Sequence, residues 1–363
     1  MFRPTHESAS PFFDFRTASA TQLSAALPQL RAESLKRFSL FSNALTVPIR
    51  PTLNPPLWEL GHVGWFQNWW IARNPERSQG KNANPNAHRA AIADDALYNS
   101  SEVAHPSRWQ LPLHSLQPTL QSLEDGLGES LRSLESAEPS DAGLYFYRLA
   151  HAHEAMHAEA WAMMAHELGL LESPAPELPK PQQLSIGATE VDLSLPDHGF
   201  TFDNERGGSK NPIFECFIDS VFVSIELFAT YLKAKNRQAE AEKLAVLPQQ
   251  APATHVNLAD AQACAAWMGR RLPTEAEWMA SVQQHGDAFA WGQVWEWTAS
   301  PFTPFQGFTA DPYRDYSAPW FGTHQVLKGA SAWTLASMRH AHYRNFYLPQ
   351  RRDMLCGFRT VSQ

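Results

Sequence analysis

Two histidines four residues apart, His153 and His157, have the spacing to share one ion. They stand in the run His151, Ala152, His153, Glu154, Ala155, Met156, His157, Ala158, Glu159. On an α-helix they project about 40° apart on one face, one turn above the other. Two imidazoles so placed reach one metal ion; an exposed pair on a surface helix is the plain alternative. His151 and His166 point to other faces and are not expected as ligands. A third histidine, His62, lies in the apolar segment Leu57-Trp58-Glu59-Leu60-Gly61-His62-Val63-Gly64-Trp65-Phe66. A lone histidine on an apolar helix is more often a satisfied core residue. Here Gly61 and Gly64 flank it, at a cost in helix propensity, and are expected to leave room beside the ring. Three neutral imidazoles with open positions suit iron(II) or zinc.

The same run also reads as HExxH, the string of zinc metalloproteases, with Glu154 as general base and zinc as Lewis acid. The metzincin extension of that string is absent, and no downstream glutamate motif supplies a third ligand. A zinc hydrolase therefore stays open as an alternative, as does a non-catalytic binding protein.

The elements that must position these residues read as follows. Apolar residues at helical spacing predict a helix over 21–43. A second follows Asn54-Pro55-Pro56, with proline in its first turn. A polar loop covers 74–108, a third helix 116–134, and a fourth 144–168, with Ser140-Asp141 as its cap and Gly169 after its end. Four helices with one long crossover loop suggest a bundle. Residues 172–183 carry four prolines and read as a linker. Beyond it, strand-like 214–222, a helix over 259–268 and a capping box at Thr274-Glu275-Ala276-Glu277 predict an irregular α+β domain. The expected division is 1–171, a linker over 172–184, and 185–363.

The chain has 363 residues, 44% hydrophobic and 18% charged, with a formal charge of −8. That is enough apolar material for two packed domains. No basic face is visible, so a nucleic-acid partner is not expected. No apolar run is long enough to span a membrane, and 1–20 lacks an apolar leader core. Cys216, Cys264 and Cys356 show no paired spacing, which fits reduced thiols in a cytoplasmic protein. Nothing speaks to oligomeric state.

Taken together, His62, the HxxxHxE element of His153, His157 and Glu159, and a series of C-terminal strings resemble the ergothioneine-synthase (EgtB-like) family. Those strings are RLPTEAEW at 271–278, GQVWEWT at 292–298, VLKGAS at 326–331, YRNFY at 343–347 and GFR at 357–359. The resemblance runs from about Leu53 to Arg359, with Phe202-Asp203-Asn204-Glu205-Arg206 similar to the opening strand of the family's second domain. It implies an α+β, two-domain chain: a DinB-like four-helix bundle, then a formylglycine-generating-enzyme-like domain related to C-type lectins. It further implies an Fe(2+) centre on His62, His153 and His157, with Glu159 orienting a ligand histidine. The implied partners are small molecules: hercynine, O2 and a sulfur or selenium donor. Asn345 and Phe346 would contact hercynine, with Arg344 as an anion contact. Formylglycine generation itself is not expected, because the cysteines lack close pairing.

The chain departs from the family's pattern at the donor side. Met156 stands where glutamine is frequent, and Tyr347 where some members place aspartate. The segment Pro301 to Phe308 reads PFTPFQGF and lacks the tyrosine that serves as proton donor, leaving Tyr313 and Tyr316 as candidates. Arg108 stands where members place donor-binding arginines. This subset resembles the selenoneine synthases (SenA), which take a selenosugar; cysteine or γ-glutamylcysteine is the alternative donor.

Overall fold

The computed structural model describes residues 13–362. Ser19 and Gln22 close a capping box that starts α1 (Ala20–Phe38). Proline in the first turn opens α2 (Pro56–Gln67), which runs into a π-helical turn over Asn68–Ala72. The crossover loop contains the short α3 (Asp95–Tyr98). Then come α4 (Leu116–Glu135) and α5 (Asp141–Glu167), the latter capped by the Ser140 hydroxyl accepting from the Gly143 amide. Helices α1, α2, α4 and α5 pack into the bundle. Nearly all of α5 is buried from Gly143 to Ala165, because the second half of the chain covers the face that the bundle leaves open.

That second half combines strands and helices. Strands β1 (Gln183–Ile186), β2 (Thr189–Asp192), β3 (Lys210–Ile213) and β4 (Cys216–Asp219) come first. Helices α6 (Ile225–Ala234), α7 (Gln238–Leu244), α8 (Leu258–Trp267) and α9 (Glu275–His285) follow. The Thr274–Glu277 capping box forms as expected. Then come β5 (Trp295–Pro301), β6 (Gln325–Gly329), β7 (Asn345–Tyr347), β8 (Cys356–Gly357) and β9 (Val361–Ser362). They form three sheets, ordered β1-β4-β9, β2-β3 and β7-β6-β5-β8. The architecture is α+β with a helical half and a sheet-containing half.

The two halves share one apolar core, in which Trp58 and Phe66 join Trp295, Trp333 and Tyr343. A buried polar seam runs beside it. Glu159 of α5 accepts from Trp295 Nε1 at 2.8 Å, Ser331 Oγ at 2.5 Å and Thr334 Oγ1 at 2.7 Å. The three cysteines are buried and unpaired. Among the described residues no helix is long and apolar enough to cross a membrane.

Candidate metal centre

The helical repeat of α5 places His153 and His157 with ring centroids 4.3 Å apart. Helix α2 brings His62 to 5.0 Å from each of them. One nitrogen from each of the three lies within 4.8 Å of the others, and the Nε2 atoms of His153 and His157 are 3.1 Å apart. Two of the rings are held by their other nitrogen. His62 Nδ1 donates to the Tyr98 carbonyl at 2.8 Å, and His157 Nδ1 donates to Glu59 Oε1 at 2.5 Å. His153 is fixed by stacking on Phe66, centroids 3.5 Å apart.

Gly61 explains how His62 acquires its partner. A Cβ at Gly61 would lie 2.3 Å from the Tyr98 ring, so only glycine lets α3 approach α2 closely enough. The room expected beside His62 is therefore filled: Tyr98 occupies it at Gly61, and Leu123 packs against Gly64.

Burial, and then repulsion from His157, lowers the His62 pKa to about 3. The same two causes, in the same order, with added repulsion from His62, hold His153 well below its ordinary value. Both rings are thus neutral near pH 7 and offer lone pairs. Three imidazoles with nitrogens aimed at a common point, two of them locked by their Nδ1 bonds, fit a first-row divalent metal.

Glu154 does not face this point. It is buried and accepts from Arg31 Nε at 2.7 Å and Nη2 at 3.1 Å. A carboxylate held this way by a guanidinium on α1 is unsuited to activate a water at the triad, so the HExxH hydrolase reading loses its base.

A cavity of about 240 Å³ lies between the halves, next to the triad through Glu59. Met156, Glu159, Trp295, Tyr343, Asn345 and Tyr347 are on its wall. A second, of about 230 Å³, lies on the Phe66 side, lined by Trp65, Trp69, Trp70 and Tyr313 among others. A further cavity, of about 940 Å³, runs along the proline-rich segment; none of these three cavities has a ligand histidine on its wall.

The sequence-derived residues are distributed unevenly. Met156, Asn345 and Tyr347 reach the first cavity. Asn345 Oδ1 accepts from the Phe346 amide at 2.9 Å, which leaves its NH2 group to donate elsewhere.

Four assignments need correction. Glu159 orients none of the histidines; its three donors come from the second half, and Glu59 takes the position expected for it. Arg344 is buried against Glu275, with Nε 3.0 Å from Oε1 and the guanidinium 4.0 Å over Phe305, so it meets no substrate. Phe346 stacks on Phe302 at 4.0 Å and is not on the cavity wall. Arg108 lies 3.7 Å over Trp58 and donates to Asn54 Oδ1 at 2.8 Å, behind the ligand histidines.

The two tyrosine candidates separate. Tyr316 donates to Tyr343 at 3.2 Å and stacks on Phe202. Tyr313 stands edge-on to Phe66 at 5.0 Å, its ring 6.2 Å from His153, and burial pushes its hydroxyl pKa up.

Residues 173–293 match the sulfatase-modifying factor enzyme 1-like domain. Curated relatives align over nearly the whole chain. "Hercynine oxygenase" of Mycobacterium tuberculosis is 24% identical, covering 94% of this chain and 99% of the relative. The protein of that name from Mycolicibacterium smegmatis is 26% identical, covering 86% of this chain and 91% of its own length. Among solved structures, PvdO from Pseudomonas aeruginosa aligns at 16% identity and a TM-score of 0.39, over 53% of this chain and 99% of that one.

Proposed function

Because this chain belongs to the EgtB-like family, we propose that it is an iron(II)- and O2-dependent synthase that joins selenium or sulfur to the imidazole of hercynine. Both relatives are named hercynine oxygenases, which supports an oxygen-dependent enzyme acting on that substrate. The observation that carries the reading is the cluster of three histidines, joined through the His157–Glu59 contact to a cavity at the junction of the halves. We assign residues 1–171 to a metal-binding domain, 172–184 to the linker and 185–363 to the formylglycine-generating-enzyme-like domain. Buried, unpaired cysteines fit a reducing, cytoplasmic setting.

His62, His153 and His157 hold the metal, which when bound supplies open positions and redox chemistry for O2. The cavity wall carries two buried carboxylates, Glu59 and Glu159, and the aromatic faces of Trp295, Tyr343 and Tyr347. That combination suits the trimethylammonium group of hercynine. The NH2 group of Asn345 donates to the substrate carboxylate. Tyr313 is the assigned proton donor, because its ring lies 6.2 Å from that of His153 and the Tyr316 hydroxyl is engaged with Tyr343.

A selenosugar is the donor that the remaining side chains favour. Arg351 is paired with Asp353 and stacked on Tyr347, and Arg108 is committed to Asn54. Of the arginines on the two small cavities, that leaves Arg314, exposed beside the second. A peptide donor with two carboxylates requires more cations than this; a neutral sugar stacks on aromatic faces without them. The test is anaerobic reconstitution with Fe(II), then O2, hercynine and either a selenosugar, cysteine or γ-glutamylcysteine, with products read by mass spectrometry. A selenium adduct formed only from the selenosugar is expected. A sulfur adduct from cysteine or its peptide overturns the donor assignment, and no product with any donor overturns the synthase.

A further inference from the structure

Among the described residues, five of the seven buried glutamates are matched by an arginine, and Glu59 is matched in another way. Glu154, Glu205, Glu275, Glu277 and Glu296 are each paired with an arginine. Glu159 is held by three neutral donors. Glu59 is 1% exposed, and among the described residues its only ion-pair partner is an imidazole, that of His157. A buried carboxylate is costly unless its charge is matched. At Glu59 that match comes through a histidine whose other nitrogen faces the metal point.

Its second oxygen is also engaged. Glu59 Oε2 accepts from Asn54 Nδ2 at 2.8 Å, and Asn54 Oδ1 accepts from Arg108 Nη1 at 2.8 Å. The Arg108 guanidinium covers Trp58 at 3.7 Å, and Trp58 stacks on His62 with centroids 4.9 Å apart. One network therefore reaches two of the three histidines from behind. They are not backed alike: His62 Nδ1 meets a neutral carbonyl and His157 Nδ1 a carboxylate.

We infer that Glu59 is a positioning residue that makes His157 the strongest electron donor of the triad, held in place by Asn54 and Arg108. This rests on the reading of the triad as a metal centre. A hydrogen bond to a carboxylate is charge-assisted, and such partners raise the donor strength of a ligating imidazole and fix its orientation. Loss of the charge weakens metal binding even where the shape is kept.

The experiment uses the full-length, metal-stripped protein and Co(II), whose visible bands report the ligand field. Glu59→Gln keeps the size and the acceptor oxygen but removes the charge; Asn54→Ala removes the support and leaves Glu59 intact. Glu59→Gln is expected to weaken Co(II) binding by about 10–100-fold and to shift the bands. Asn54→Ala is expected to act in the same direction with a smaller effect. Wild-type affinity and an unchanged spectrum in Glu59→Gln overturn the inference alone; if that variant does not fold, the same result in Asn54→Ala overturns it. A wild-type protein that binds no Co(II), or binds it equally after His153→Ala, overturns the metal-centre reading and the inference with it.

Discussion

At the residue scale, the His62 position depends on a glycine one residue before it. Gly61→Ala would drive a methyl group into the Tyr98 ring, 2.3 Å away in the native packing. Either α3 retreats, releasing the carbonyl that holds His62 Nδ1, or α2 shifts. Overpacking of this kind costs roughly 1–3 kcal/mol. The expected outcome, checked by chemical denaturation and metal titration, is that loss of stability together with weaker metal binding; unchanged binding would show that Tyr98 does not hold the ligand. Spacing alone made His153 and His157 legible, because an i, i+4 pair is a local property of one helix. Glu59 was not legible: a glutamate one turn before His62 resembles any helix-surface carboxylate, and its partner is 98 residues away. Glu159 was misread because its proximity to His157 in sequence says nothing about the second half, where its donors lie.

At the element scale, the pair of Arg31 on α1 and Glu154 on α5 separates the synthase from the hydrolase. Glu154 stands where a zinc protease keeps its general base, yet Arg31 holds both its oxygens, and Gln67 of α2 accepts from the same guanidinium at 2.9 Å. Arg31→Leu leaves a buried, unpaired carboxylate and is expected to destabilise the fold by about 3–5 kcal/mol, measurable by urea unfolding. Glu154→Gln is expected to retain product formation with hercynine; abolished turnover in a well-folded variant would restore a chemical role to Glu154. Helix limits were legible to within a few residues where caps mark them, as at Ser140 and Thr274. The π-helical turn at Asn68–Ala72 left no such mark. Arg344 was misassigned for a related reason. An arginine beside an asparagine on β7 can face either side of a short strand, and the packing of Phe302 and Phe305 decides it.

At the scale of the whole molecule, two neutral histidines lie outside the metal centre: His151, buried against Phe13 and Phe15, and the half-buried His255, which stacks on His166 where the halves meet. Burial lowers the pKa of His151 to about 4; burial and then repulsion from His166 lower His255 to about 4. Each is depressed below the unfolded value of about 6.5, so below that pH the unfolded chain binds more protons. Stability is then lost as pH falls from about 6.5 towards 4. For His151, 2% exposed, the loss approaches about 1.4 kcal/mol per pH unit. The melting temperature of the metal-free protein is expected to fall steadily over that range, and a flat profile would contradict the neutral state of these rings. The α+β division was legible from the change of texture at the proline-rich segment; the shared core was not, because it joins residues far apart in sequence. The central claim is that the three histidines hold iron next to a hercynine cavity. Its most direct test is electron paramagnetic resonance of the Fe(II) protein treated with nitric oxide, recorded with and without hercynine. The account expects one iron per chain, a nitrosyl signal altered by hercynine, and no signal in His62→Ala. A signal indifferent to hercynine, or one that survives in His62→Ala, would contradict it.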